Sequence, residues 1–452
     1  MKSALVALLI FIWMPIMVFK PQIGVLVWNW VSFMSPQSYT YGFAATFPFL
    51  VSVGGLTALG VVISKDEKSL PAHPIIFAIL IYFTWTLVTS GAAFEFEVGK
   101  PKLIEFSKTI AFTILTAMIM KTPNRLKAYY YVMMASLLFI GIKGGVFTAV
   151  TGGGARVQGA GGMMGDNNQL AMAMAMTFPL TVYLAMHPPH KWLKWPMFAT
   201  VFLVILAVLG TQSRGGFAAI AAVLFMFLLK SKHKFTILII AVPLAFGAFN
   251  FMPDSWKNRM ESTEEATDDN SFMGRVSMWK YATNVASDHP IEGGGFDVFY
   301  IRYLGPKYMP PGYIQRAPHS SYFEVLGEHG YVGLLLFLTI LFTGWYSGAT
   351  NAKRFRRYEE TIWLADMSTM IQLALLGYAM GSLTVNIALF DVFYNLLIVL
   401  VLCRSVGDKI IEKGVTEIKP KGILAAALSG GGKDTEAGWK PGARKGKPQP
   451  AE

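Results

Sequence analysis

One histidine in the C-terminal half of the chain is the best candidate for proton transfer. His319 follows Pro318, whose fixed φ stiffens the backbone before it, and it precedes an apolar run that begins at residue 330. An imidazole titrates near neutral pH, as a general base requires. The alternative is a structural histidine that binds a loop carbonyl. His289 and His329 are weaker candidates, and we expect His329 to pack or cap at a helix start.

Four arginines are the second set of residues capable of chemistry. Arg214 lies in the turn Gly210–Gly216 between two apolar runs. The other three share one long polar segment: Arg275, Arg302 and Arg316. A guanidinium stays charged and presents a fork of donors that fits phosphate oxygens. Arg214 could instead snorkel at a helix end, and Arg275 could be a solvated helix charge. Arg214 and Arg275 together predict an oxyanion site, and Arg302 and Arg316 could join or replace them.

Two asparagines are weaker candidates for substrate binding. Asn167 and Asn168 begin another apolar run, and their amides could bind sugar or phosphate oxygens. Simple helix capping explains them slightly better.

Motifs of several other enzyme classes are missing from the sequence. It contains no Gly-Lys-Ser/Thr of a phosphate-binding loop, no Asp-x-Asp metal clamp and no His-Glu-x-x-His. Its single cysteine, Cys403, can form neither an internal disulfide nor a cysteine zinc site. We therefore expect no metal and no cofactor, and neither an ATP-driven pump nor a zinc hydrolase.

Composition places these residues in a membrane protein. Hydrophobic residues make up 54% of the 452 residues and charged residues 15%, against about 25% charged in soluble domains. The apolar runs approach the length that crosses a hydrocarbon core of roughly 30 Å. They cover residues 3–19, 22–34, 44–64, 73–90, 103–120, 126–146, 168–186, 194–210, 214–230, 233–250, 330–350, 362–385 and 391–407.

The predicted fold is an all-α integral membrane protein, a polytopic bundle of about 12–13 transmembrane helices with one large periplasmic loop. The first two runs are short and are split by Lys20-Pro21. They form either two spans or one span with a re-entrant piece.

Basic residues orient the bundle. The net charge is +12, which the positive-inside rule explains without nucleic acid. If the spans alternate, the basic connectors and the tail after residue 404 share the cytoplasmic side. These connectors are Lys121–Lys127, His187–Lys194, Lys230–Lys234 and Lys353–Arg357. The opposite face then carries residues 91–102, 147–167, 211–213 and 251–329.

Four regions follow from this orientation. Residues 1–250 form an N-terminal transmembrane bundle, 251–329 the periplasmic loop with short helices, 330–407 the C-terminal helices, and 408–452 a basic cytoplasmic tail expected to be disordered. Within the loop, Phe272, Val276, Trp279, Ala282 and Val285 have helical spacing, which predicts a helix over 270–286. A glycine-rich loop, Gly152–Gly165, lies on the same face.

At these residues the sequence resembles bacterial O-antigen ligases. His319-Ser320, nine further residues and then Gly330-Tyr331-Val332-Gly333 fit the family pattern His-[Asn/Ser/Gln]-x9-Gly-x-x-Gly. Arg275 resembles the arginine of its Arg-x3-Leu pattern, although Trp279 replaces the leucine. Ser213-Arg214-Gly215 resembles its membrane-surface arginine. The resemblance is firm over about 200–345.

The N-terminal half resembles one branch of that family. Gly165–Leu170 and Ser35-Pro36 are similar to O-glycosylation ligases associated with exosortase systems. In that branch the suggested acceptor is a secreted protein rather than the lipopolysaccharide core.

The resemblance implies a bundle of about twelve spans in the bacterial inner membrane. It also implies transfer of a glycan from an undecaprenyl-pyrophosphate carrier to an acceptor protein or lipid A-core, without nucleotide or metal. Arginines would hold the pyrophosphate and stabilise the leaving oxygen. His319 would deprotonate the acceptor hydroxyl.

Two alternatives remain at this point. An O-antigen or exopolysaccharide polymerase would share the bundle and differ in its acceptor, and the histidine pattern favours the ligase. A lipid-linked sugar flippase would need polar groups near the bilayer midplane and, in many folds, two related halves. Acidic residues are nearly absent from the predicted span centres, and Asp366 lies near one end of its span.

Overall fold

A computed structural model describes residues 2–159, 161–231 and 270–415, together with five single positions between 231 and 270. The predicted span 233–250 and the first part of the long loop therefore lie mostly outside the described residues, and the tail beyond residue 415 lies outside them entirely.

Every predicted apolar run in the described residues coincides with a helix. In chain order the helices are α1 Lys2–Phe11, α2 Met14–Phe19, α3 Pro21–Met34, α4 Phe43–Thr46, α5 Phe49–Ile63, α6 Pro74–Gly91, α7 Phe96–Ile119, α8 Pro123–Thr151, α9 Asn167–Met186, α10 Lys194–Gly210, α11 Arg214–Lys230, α12 Asn270–Asp288, α13 Gly305–Tyr308, α14 Ser321–Phe355, α15 Ile362–Gly381 and α16 Asp391–Glu412.

Seven helical segments of the described chain are long and apolar enough to cross a membrane. The all-α polytopic membrane fold is thereby confirmed. The other predicted spans are shorter or more polar helices, such as α5 and α7, or lie outside the described residues. The first apolar run forms α1 and α2, which together make one candidate span, Lys2–Phe19. The second forms α3, whose 14 residues rise only about 21 Å, less than a hydrocarbon core.

Helix α9 lies at the centre of the bundle. It packs against α8, α10, α11 and α15, and its alternating alanines and methionines are buried almost throughout. Neighbouring helices approach closely where glycine replaces a side chain. A Cβ on Gly145 of α8 would collide with the backbone of Leu203 in α10, as in other membrane interfaces built on small residues.

Three of the predicted basic connectors meet at one end of the bundle. His187 Nε2 lies 3.0 Å from an Asp366 carboxylate oxygen, and Arg356 pairs with the same carboxylate at 2.9 Å. The ammonium of Lys127 lies 4.7 Å from the Trp363 ring. We call this the basic end. The loop end is the opposite end, which carries residues 152–165, 210–213 and 382–387.

The loop helix predicted over 270–286 is present as α12, and only part of its apolar spacing is buried. Met278, Tyr281, Ala282 and Val285 are fully buried, whereas Phe272 is exposed. This face packs on residues later in the loop, and the Tyr281 hydroxyl donates to the Val298 carbonyl at 3.0 Å. The loop therefore has a small core of its own, and that core selects the buried face.

Helix α14 contains a break at Gly330, where φ is 68° and ψ is −171°. This backbone conformation is essentially restricted to glycine, and a Cβ there would also lie 2.7 Å from the Pro290 carbonyl oxygen. The break frees the carbonyls at the end of segment 321–329. Gly294 N–H donates to Gly327 O at 2.9 Å, and Gly295 N–H donates to Glu328 O at 2.8 Å.

The side chain of Trp85 completes this junction. Its indole N–H donates to the His329 carbonyl at 3.1 Å. Gly333 packs against both His329 and Trp85, with no space for a Cβ. The two glycines of the Gly-x-x-Gly pattern thus join segment 321–329 to the loop and to α6.

We predict that Gly330→Ala destabilises the protein by at least about 2 kcal/mol, because alanine would be strained in this conformation. Gly55→Ala is the matched control, since Gly55 lies in helix α5 with open space around it. Thermal unfolding in detergent should show a lower Tm for Gly330→Ala and an unchanged or slightly higher Tm for Gly55→Ala. Equal melting temperatures would contradict the proposed strain.

Candidate functional site

The segment that follows His319 is anchored on the loop between α15 and α16. Ser321 N–H donates to the Ser382 carbonyl at 2.8 Å, and the Ser320 hydroxyl donates to the same oxygen at 3.2 Å. The Ser321 hydroxyl donates to Val385 O at 2.9 Å and accepts from Ile387 N–H at 2.9 Å. Both serines are buried, so the start of α14 is fixed to the bundle.

Arg214 is the first residue of helix α11. The helix begins there because the Ser213 side-chain oxygen accepts the Gly216 N–H at 3.2 Å, a standard N-cap. The same hydroxyl donates to Asn168 Oδ1 at 2.8 Å. The N-terminal ends of α9 and α11 are therefore joined beside Arg214.

The two candidate asparagines hold this junction together. Asn167 Nδ2 donates to the Thr211 carbonyl at 2.9 Å, and Asn168 accepts from Ser213. Neither is the N-cap of α9, since Asp166 is. Its carboxylate accepts the N–H groups of Asn168 and Gln169 at 2.8 and 3.4 Å. Both asparagines therefore hold the start of α9 to the turn before α11. Neither interpretation of the sequence anticipated this contact.

The first turn of α11 also contacts the loop that anchors the start of α14. A Cβ on Gly215 would collide with Thr384 Oγ1, and Thr384 lies between the Ser382 and Val385 carbonyls that bind Ser320 and Ser321. Arg214 and His319 therefore flank one short loop, although about 100 residues separate them in the sequence.

The backbone of His319 is held in an unusual conformation. Its φ is +49°, which is uncommon for a residue with a side chain and is typical of functional positions. The Trp279 indole N–H donates to the preceding carbonyl, Pro318 O, at 2.9 Å. The Trp279 ring also stacks on Phe323, with a centroid distance of 5.1 Å and an interplanar angle of 7°.

Trp279 explains the departure from the family pattern noted in the sequence. A leucine at this position would supply contact area but no donor for Pro318 O. The indole group does both, and it ties α12 to the residue immediately before His319.

Arg275 and Arg316 lie on the loop side of His319. The Arg316 guanidinium lies over the α-carbon of Gly274, where any side chain would collide with it. This close approach places Arg316 beside Arg275, the next residue of α12. The Arg316 backbone N–H also lies 3.4 Å from the Met278 sulfur.

These cations act on the histidine directly. Burial lowers the pKa of His319 below its ordinary value, and the charges of Arg275 and Arg316 lower it further. Asp166 and Glu324 oppose this effect. The imidazole is therefore neutral at pH 7 and is able to accept a proton.

Arg302 occupies a different part of the loop. It is exposed on the short 3-10 helix Arg302–Leu304. The next residue, Tyr303, donates its hydroxyl to Glu95 at 3.1 Å. This turn is therefore joined to the start of α7, and the Ile301 carbonyl just before it also accepts from Gln315 Nε2 at 3.0 Å.

A buried ionic cluster beneath the site was missed in the sequence analysis. Lys102 Nζ lies 2.7 Å from Glu324 Oε1, 2.6 Å from Glu328 Oε1 and 3.4 Å from Asp297 Oδ1. Asp297 N–H also donates to Glu328 at 2.9 Å. The available signal was the spacing of Glu324 and Glu328, which puts two carboxylates on one helix face. Nothing in the sequence pointed to Lys102 as their partner.

We predict that Asp166→Asn lowers the pKa of His319 further, because the substitution removes an anion and keeps a good N-cap. Arg275→Gln should raise this pKa toward its ordinary value. Asp288→Asn is the control, since Asp288 pairs with Lys307 at the exposed end of α12.

The measurement is the pH dependence of His319 carbethoxylation, followed by peptide mass spectrometry, since only neutral imidazole reacts. An identical midpoint in Asp166→Asn and the wild type would show that Asp166 does not influence His319.

Comparison with known families agrees with the resemblance of residues 200–345 to O-antigen ligases. Residues 199–338, which contain the four candidate arginines and His319, match the family model described as O-antigen ligase. Residues 1–194 match a family of unknown function (DUF5935). Comparison with curated proteins gives no significant match. This membrane protein thus carries an O-antigen ligase family domain over residues 199–338.

Proposed function

We propose that this protein transfers a glycan from an undecaprenyl-pyrophosphate carrier to an acceptor hydroxyl on the periplasmic face of the bacterial inner membrane. The observation that carries the proposal is the charge environment of His319. A half-buried histidine, kept neutral beside two arginines, combines a general base with a site for a phosphate oxyanion.

The reaction divides between these groups. His319 accepts the proton of the acceptor hydroxyl as its oxygen attacks the anomeric carbon. The bond from that carbon to the pyrophosphate oxygen breaks, and the configuration inverts. Arg275 and Arg316 bind the pyrophosphate and stabilise the charge on the leaving oxygen. Arg214, across the loop 382–387, is the third phosphate ligand. Arg302 has a peripheral role.

Donor binding would also prepare the base. Arg275 and Arg316 lower the pKa of His319 when no anion is present. A bound pyrophosphate would offset their charge and raise that pKa, which makes the histidine a stronger base. Proton abstraction is thereby coupled to the presence of the activated donor.

A secreted protein is the proposed acceptor, in keeping with the branch that the N-terminal half resembles. Lipid A-core and a growing polymer are the competing acceptors. For the flippase alternative, the buried charges would need to lie near the bilayer midplane. Lys102 and its partners lie instead beside the Gly293–Gly295 loop, which favours transfer.

We predict that His319→Ala reduces glycan transfer by roughly 10²–10⁴-fold, the usual contribution of a general base, and leaves donor binding nearly intact. The assay uses membranes with undecaprenyl-pyrophosphate glycan and scores glycoprotein, glycolipid and longer free polymer separately. His289→Ala is the control, because His289 pairs with Glu292 elsewhere in the loop. Transfer that persists in His319→Ala at matched expression would exclude His319 as the base.

Arginine variants test the phosphate assignment separately. Arg275→Gln and Arg316→Gln should each weaken donor binding by about tenfold or more, since each removes a charge-assisted contact. Arg302→Gln should bind donor almost like the wild type. Binding of the lipid-linked donor to purified protein measures this directly, and normal affinity in both Arg275→Gln and Arg316→Gln would refute the assignment.

A further inference from the structure

Two neighbouring cavities lie along one face of helix α8, away from His319. The first has a volume of about 420 Å³ and is almost wholly apolar, with Trp13, Trp30, Met34 and Phe139 in its lining. The second has a volume of about 270 Å³ and is more polar. Its lining includes the side chains of Tyr39, Lys143, Phe147, Arg156 and Gln158.

The same helix face lines both cavities in succession. Val132, Ala135, Ser136 and Phe139 border the apolar cavity, and the next positions at helical spacing, from Ile140 to Phe147, border the cationic one. From Val132 to Phe147 the helix rises about 22 Å. That distance covers one leaflet of hydrocarbon, about 15 Å, and part of the headgroup region. The Phe139 and Tyr39 rings touch at the boundary, with centroids 6.2 Å apart.

Among the residues that the structure places in the lining of the cationic cavity, none is acidic. Among the described residues, the ion pairs include neither Lys143 nor Arg156. The ammonium of Lys143 lies 4.8 Å from the Tyr39 ring. Lys143 lies eight residues before Thr151, the last residue of α8, or about 12 Å inside the helix end. Measured from Val132, Lys143 lies about 16 Å along the helix, at the headgroup end of a leaflet of about 15 Å.

The wall of this cavity is fixed to the loop end of the bundle. Val157 N–H donates to the Gly210 carbonyl at 2.8 Å, and Gln212 Nε2 donates to Gly153 O at 3.2 Å. The glycine-rich loop 152–165 therefore lies on the same side of the membrane as Arg214. The residues assigned to the transfer reaction lie outside this loop, so that reaction gives the loop no role.

We propose that these cavities together bind one anionic phospholipid of the leaflet on the site side. Its phosphate contacts Lys143, Arg156 and the Gln158 amide, and an acyl chain occupies the apolar cavity. Charge complementarity selects a phosphate group. The adjoining apolar cavity and the exposed hydrophobic side chains Phe139, Val146 and Phe147 around Lys143 select a lipid over a soluble anion. The proposal does not depend on the proposed catalytic function.

The test is native mass spectrometry of the purified, delipidated full chain titrated with phosphatidylglycerol, with phosphatidylcholine or with inorganic phosphate. The wild type should bind phosphatidylglycerol about tenfold more tightly than phosphatidylcholine, as expected for charge-assisted contacts to one phosphate. The double variant K143Q/R156Q should lose this preference. Inorganic phosphate alone should bind far more weakly than phosphatidylglycerol.

Three further variants make the result specific. K143R/R156K keeps both charges and should keep the preference for phosphatidylglycerol. A loss of preference in K143Q/R156Q is then due to the lost charge and not to misfolding caused by substitution at these two positions. K100Q/K307Q removes two charges from exposed ion pairs and should also keep it. Ala135→Phe partly fills the apolar cavity and should weaken binding of both lipids. An unchanged preference in K143Q/R156Q, normal lipid binding in Ala135→Phe, or inorganic phosphate binding as tight as phosphatidylglycerol would each overturn the proposal.

Discussion

The structure of the site depends on how the hydrogen-bonding groups at the two ends of segment 321–329 are paired. At its start, the Ser320 and Ser321 groups bind the carbonyls of the α15–α16 loop. At its end, the break at Gly330 frees carbonyls that the Gly293–Gly295 loop and Trp85 then bind. Buried backbone groups are costly when unpaired, so the segment can adopt this position only when loop and bundle are both folded around it. His319 is positioned as a consequence.

Electrostatics gives the site its chemical character. Burial and two arginines favour neutral His319, while Asp166 and Glu324 act in the opposite direction. Glu324 in turn belongs to the Lys102 cluster, whose carboxylates converge on a single ammonium. Such a cluster is expensive to bury unless its members remain paired. It therefore links His319, through Glu324, to the ion pairs that join α7 to α14.

Sequence reasoning succeeded where the signal was local. Helical spacing identified α12. Turn residues and charges placed Arg214 at the start of a helix, Arg275 on the loop helix and His319 shortly before a helix. It failed where a tertiary neighbour decided the outcome. The helical spacing over 270–286 did not specify which residues of α12 are buried, and Met278, Tyr281 and Val285 pack in one cluster with Val298 and Tyr308. Trp279, which departs from the family pattern, holds the Pro318 carbonyl. Asp166, and neither asparagine, caps α9.

By itself the sequence determined the membrane class, the helices and the residue types able to bind phosphate and to accept a proton, because hydropathy, helix periodicity and side-chain chemistry are local properties. Only the tertiary structure decided that Arg275 and Arg316 act on His319 and that Lys143 and Arg156 share a cavity. These relations join residues far apart in the chain. They depend on close packing, which glycines at Gly145, Gly274 and Gly330 permit and which no short stretch of sequence encodes.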